Sequence, residues 1–148
     1  MPTSTTAASV STRRATTTMY IGAALSALLA ALTFLDQVAV DGITDVLWDE
    51  YPDYTSDEIA TEAGATAAAL YVLAALGVAC WLWLAAATRR RWHRARLASA
   101  IAFGLAFVTS LSVAYVPLPN YLATAQWLPP VVGAVALALL WKGDTRAE

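Results

Sequence analysis

Asp36 is the acidic residue that sits closest to the interior of a long apolar run, and Gln37 follows it directly. A carboxylate at the edge of hydrocarbon could bind a proton or a cation and couple it to a second ligand. Tyr71, Tyr115 and Gln126 fall at a similar depth on other apolar segments, bringing hydroxyl and carboxamide groups to that level. Thr66, Thr109, Ser110, Ser112 and Thr124 map to the same half of their segments, and the opposite half carries almost no polar side chain. Two explanations fit this one-sided distribution. Asp36, Gln37, Tyr71, Tyr115 and Gln126 line a polar vestibule open to the outside, or such groups tie helices together by hydrogen bonds of about 0.6–2 kcal/mol each. The second is favoured.

Arg89, Arg90, Arg91, Arg94 and Arg96 form a basic knot with Trp92 and His93 between them. A basic side chain near an anionic lipid headgroup gains about 1 kcal/mol, so these five are candidate anionic-lipid contacts. An arginine-rich short loop is also the ordinary signal that keeps a loop cytoplasmic, and that reading is favoured. No nucleic-acid-binding module surrounds the knot, and nucleic acid is not expected as a partner.

Asp41, Asp45, Asp49, Asp53 and Asp57 recur every four residues. The D-x-[DN]-x-[DN]-G loop of a calcium site is absent, so no metal is expected there. With a single His and a single Cys, Cys80, the chain has neither a multi-histidine centre nor an internal disulfide. No H-E-x-x-H, no glycine-rich phosphate loop and no serine–histidine hydrolase pattern is present. Catalytic residues, a cofactor and an enzymatic activity are therefore not expected.

The elements that must position these residues follow from composition. Of 148 residues, 59% are hydrophobic and 14% charged, and the mean hydropathy is +0.56. That excess suits an all-α integral membrane protein. Thr55 and Glu58 have the spacing of a reciprocal helix cap, and no charged side chain follows from Ala63 to Ala87. That run exceeds the ~20 residues needed to cross about 30 Å of hydrocarbon. Four helices are predicted at about 19–40, 56–88, 92–116 and 120–141, forming one transmembrane bundle over residues 19–142. Pro129 and Pro130 should kink the last helix, and Asn120 is its expected N-cap.

Gly22, Ser26 and Ala30 on the first helix, and Ala98, Ala102, Ala106, Ser110 and Ala114 on the third, make small-residue stripes that permit close helix contact. Ala106 is predicted to be packed more tightly than Ala85, which falls near the inner interface. Residues 1–18, small and hydroxylated with only Arg13 and Arg14 charged, are expected to be a disordered tail. Residues 143–148 form a short second tail. The apolar run continues to Val40 with no A-x-A site after it, so a retained span is expected rather than a cleaved signal.

All 9 basic residues lie in the two tails or the knot, while nine of the 11 acids run from Asp36 to Glu62. This segregation places both termini and the knot inside, and an acidic loop, residues 41–60, outside. That loop should lie on the membrane surface, irregular or partly helical. Arg over Lys, with abundant Ala, points to the cytoplasmic membrane of a bacterium. The expected function is that of a small non-enzymatic interaction, accessory or scaffold protein. Its expected partners are the lipid bilayer and a homo-oligomer or another membrane protein. The alternative is a small oligomeric transporter or ion-coupled exporter built around Asp36.

Overall fold

The longest helix begins at a reciprocal cap. The Thr55 N–H donates to Glu58 Oε2 (2.8 Å), and the Glu58 N–H donates to Thr55 Oγ1 (3.4 Å). Two donors that a helix start would leave open are thereby satisfied. From there the helix runs unbroken over Ser56–Arg89, 34 residues, or about 51 Å at 1.5 Å per residue. The predicted helix at 56–88 is therefore present.

The computed structural model describes residues 4–89 and 95–142, which contain helices and no strands. α1 covers Ser4–Leu35 and continues as one widened turn over Asp36–Val40. α2 is Gly42–Glu50, α3 Ser56–Arg89, α4 Ala95–Val113, α5 Asn120–Ala125 and α6 Leu128–Lys142. Three stretches are long and apolar enough to cross a membrane: Arg13–Val40, Ser56–Arg89 and Asn120–Leu139. Ala100–Val113 is apolar but shorter.

α1 and α3 are antiparallel and close. Gly22 leaves room for the Trp81 ring, and Gly77 for Ser26, so small residues on each helix receive side chains of the other. This is the close approach that the Gly22–Ser26–Ala30 stripe predicts. α6 also packs against α1, and α4 packs against both α3 and α6. Phe103 of α4 sits over Gly133 of α6, and Phe107 meets Trp127 edge-on with centroids 6.3 Å apart. Two buried hydroxyls are satisfied on the preceding turn: Ser26 donates to the Gly22 carbonyl (3.0 Å) and Thr33 to the Leu29 carbonyl (2.9 Å).

Two apolar clusters hold the ends. Leu29, Ile43, Leu47, Ile59, Leu70 and Leu122 meet near the acidic turns, and Met19, Leu84, Ala85 and Ala136 meet near the basic end. α2 belongs to the first. Ile43 and Leu47, four residues apart, are buried against α3, and Asp45, Trp48 and Asp49 stay exposed. The segment predicted to be irregular or partly helical thus contains a regular two-and-a-half-turn helix, held by that apolar pair and stopped before Pro52.

Several boundaries differ from expectation for identifiable reasons. α1 starts well before Met19, and Ala15 and Thr16 are buried, so residues 13–18 are part of the helix rather than of a disordered tail. Extending a formed helix is cheap, and Thr17 and Thr18 return their hydroxyls to the Arg13 and Arg14 carbonyls (3.0 Å each). Residues 1–3 and 143–148 lie outside the described residues.

The helix predicted at 120–141 is two helices. The break falls at Gln126 and Trp127, and Pro129 and Pro130 occupy the first turn of α6, where a missing N–H breaks no intrahelical bond. Pro119 rather than Asn120 takes the N-cap position of α5. Ala85 is 1% exposed, whereas Ala106 and Ala114 are exposed. The order expected for Ala85 and Ala106 is reversed, because position along the membrane normal says nothing about which face of a helix a residue occupies.

Candidate functional site

At the end of α1 the chain reverses over a few residues, and Asp36 holds that reversal together. The Asp41 N–H donates to the Asp36 carbonyl (2.8 Å), closing the widened turn, and Asp41 itself is left-handed (φ 55°). Such a conformation costs a non-glycine residue about 1–2 kcal/mol, least for Asp and Asn. The turn aims the first N–H groups of α2 back at α1. Gly42 donates to Asp36 Oδ1 (3.1 Å) and Ile43 to Oδ2 (3.2 Å). These donors have no acceptor inside their own helix, and a carboxylate at a helix N-terminus is also favoured by the helix dipole.

The Tyr121 hydroxyl of α5 closes the site by donating to Oδ1. Asp36 is 1% exposed as a result. Gly42 is required by this closeness. A Cβ there would lie 2.7 Å from Tyr121 Oη, 2.8 Å from Asp36 Oδ1 and 3.1 Å from Pro119 Cγ. Asp36 thus joins α1, α2 and α5 through one carboxylate.

The five residues predicted to share a vestibule are not brought into one chamber. Gln37 is turned away from Asp36 and accepts a hydrogen bond from the Tyr71 hydroxyl (3.0 Å), linking α1 to α3. Tyr115 is 86% exposed. Gln126 is buried and lines a separate, largely apolar cavity of about 90 Å³ between α1, α3, α4 and α6. Two of the five, with Asp36 as a third, therefore act as the interhelical or cross-turn hydrogen bonds that formed the favoured reading.

Tyr121 and Gly42 are the partners that the sequence did not announce as such. Tyr121 lies 85 residues from Asp36 and carries only the general mark of an interfacial aromatic. Gly42 follows Asp41 in an Asp-Gly pair, a known turn signal, and that signal was available in the sequence.

At the opposite end, the Arg89 guanidinium lies over the Tyr20 ring, 5.5 Å from its centroid. A contact of this kind at an exposed position contributes about 0.5–1 kcal/mol. Arg89 stays exposed at the end of α3, the helix that packs along α1. Arg90, Arg91 and Arg94, and the side chain of Arg96, lie outside the described residues. Among the described residues, no three His, Cys, Asp or Glu side chains are close enough to hold a metal ion. No protein-family model matches the chain, and no match is found among curated proteins or solved structures.

Proposed function

We propose that this chain is a four-helix transmembrane protein of the cytoplasmic membrane of a bacterium, with both termini in the cytoplasm. In this reading it acts without catalysis, as an interaction or scaffold protein that packs against a second copy of itself or another membrane protein. α1, α3, α4 and the α5–α6 pair supply the crossings. α4 has 19 residues, about 28 Å of helix, close to the ~30 Å hydrocarbon thickness. Arg13, Arg14 and Arg89 stand at one end of the antiparallel helices and the acidic turns at the other, and basic ends stay cytoplasmic.

Labelling tests that orientation. In a Cys80→Ser background, Asp49→Cys is expected to react with an impermeant thiol reagent in intact cells and Arg91→Cys only after lysis. The reverse pattern overturns the orientation.

The observation that supports packing is a face of mostly small residues on α3, with Leu82 (46% exposed) the large side chain within it. Gly64, Ala68, Ala75, Ala79 and Ala86 are all exposed, and a Cβ on Gly64 would meet nothing within 4 Å. At about 100° per residue these five fall within roughly 60° of one another. Their spacing repeats every eleven residues, which favours a right-handed crossing, the geometry of small-xxx-small helix pairs. A face of this kind offers backbone approach to another helix, whereas lipid chains gain nothing from it.

Energy transfer between donor- and acceptor-labelled protein in liposomes tests this reading. The double change Ala75→Ile with Ala79→Ile should lower association at least about ten-fold, from lost van der Waals contact along the seam. Ala24→Ile, on an exposed position of α1, should leave it unchanged. Equal association of all three proteins argues for lipid against this face.

A further inference from the structure

The cavity between α1, α3, α4 and α6 has walls that are apolar over nearly their whole extent, with one exception that the helix packing does not explain. Gln126 is 4% exposed, and its carboxamide oxygen is buried with no hydrogen-bond partner. A buried amide oxygen without a donor is costly, and native proteins leave few of them. The residue stands at the break between α5 and α6, where the chain's helical bonding changes hands from the Gln126 N–H on the Leu122 carbonyl to the Val131 N–H on the Trp127 carbonyl. Its side chain lines the cavity beside Ser110 of α4. The last torsion of a glutamine is broad, so a small rotation turns this oxygen onto the cavity wall without moving the backbone.

From this we infer that the cavity is a binding site for a small apolar molecule with a single hydrogen-bond donor, a membrane-dissolved phenol or alcohol, whose hydroxyl donates to Gln126 Oε1. The volume of about 90 Å³ exceeds what a single water needs and falls below the ~150 Å³ of a cavity that takes up benzene, so a ring-sized body enters with a small shift of the half-buried Phe103 on its wall. Trp81 and Phe103 supply aromatic surface, while Gly133 and Ala106 keep the space open. A ligand with no donor would leave the Gln126 oxygen unpaired, and a second polar group would find few partners, since the Ser26 hydroxyl on the wall already donates to the Gly22 carbonyl. Selectivity for one donor on an apolar body follows. This site goes beyond the packing role proposed above, since it uses the interior of one chain and not the α3 face.

The test uses the full chain in detergent micelles and two probes, 4-fluorophenol and fluorobenzene, followed by fluorine NMR with protein-free micelles as the partition reference. Wild-type protein is expected to bind 4-fluorophenol saturably and about ten-fold tighter than fluorobenzene, the ratio that one otherwise unmade buried hydrogen bond gives. Gln126→Leu should bring the two probes to equal affinity. Ala106→Leu, which narrows the cavity from α4, should weaken both. Three results overturn the inference. Neither probe binds saturably, in which case the oxygen is served by water alone; the probes bind wild type equally; or the preference survives Gln126→Leu. The comparison of the two probes on wild type stands even if a Gln126 variant does not fold.

Discussion

Asp36→Ala is expected to lower stability in mild detergent by about 3 kcal/mol or more, with loss of α2 packing as the first visible consequence. The change strands three donors at once: the Gly42 and Ile43 N–H groups and the Tyr121 hydroxyl. Each hydrogen bond to a charged acceptor contributes about 1.5–3 kcal/mol, and donors left buried cost more than donors returned to water. Because α2 is attached to the rest mainly through Ile43 and Leu47, freeing its N-terminus loosens that pair as well. Tyr121→Phe removes one of the three bonds and should cost about 1.5–2 kcal/mol, the low end of that range because Gly42 and Ile43 still donate to the carboxylate. Asp36→Asn keeps the shape but presents an N–H to a donor, so it should fall between the two.

Reversible unfolding followed by far-ultraviolet circular dichroism checks the order Ala, Asn, Phe. A double cycle with Asp36→Asn and Tyr121→Phe should show clear coupling, as expected of groups in contact. If Asp36→Asn is as stable as wild type, the carboxylate is not serving as a structural joint, and the exporter reading centred on it regains its main residue.

The contrast between Asp36 and α3 explains what was readable in the sequence. The start of α3 is encoded within four residues, Thr55 to Glu58, and its length by the absence of charge, so its predicted and observed limits nearly coincide. The Gly22–Ser26 seam was readable too, since a repeat of small residues in a membrane helix has few other uses. Asp36 was singled out, but its role depends on a widened turn, a left-handed Asp41 and a tyrosine far along the chain, none of which a local pattern contains.

Burial within the apolar helices was the least legible feature. In water, an apolar stripe marks the core face of a helix; in a membrane chain both faces are apolar and the stripe disappears. Ala85 and Ala106 look alike in sequence, yet one is sealed among Met19, Leu84 and Ala136 while the other borders a cavity. Small residues mark a seam, an open face and a cavity wall with equal readiness. Only packing against Trp81 and Phe103 distinguishes Gly22 and Gly133 from Gly64 and Gly104.

That distinction carries a second large expected effect. Gly22→Val should destabilise the protein by about 3 kcal/mol, and Gly22→Ala by about 1–2 kcal/mol, in the range of overpacked cores. A Cβ at Gly22 would stand 2.5 Å from Trp81 Cε2, 2.7 Å from Cδ2 and 2.9 Å from Cζ2. The indole's retreat toward α6 is limited. Its far edge lies over Gly133 of α6, where an added Cβ would be 3.4 Å from Trp81 Cη2 and 2.8 Å from Phe103 Cδ2. Trp81 stands between Gly22 and Gly133, so extra volume at Gly22 has to push the indole against Gly133 and the cavity it lines or separate the helices. Gly133→Ala presses mainly on Phe103, a side chain of the less buried α4, and should cost less. Gly104→Ala meets nothing within 4 Å and should be neutral or stabilising by up to about 1 kcal/mol through helix propensity. Trp81→Phe should cost stability alone yet recover part of the loss in the Gly22→Ala background. Thermal unfolding in detergent of these variants gives the ranking directly. Equal behaviour of Gly22→Ala and Gly104→Ala, or no relief from Trp81→Phe, would show that the α1–α3 seam is not closed by the tryptophan.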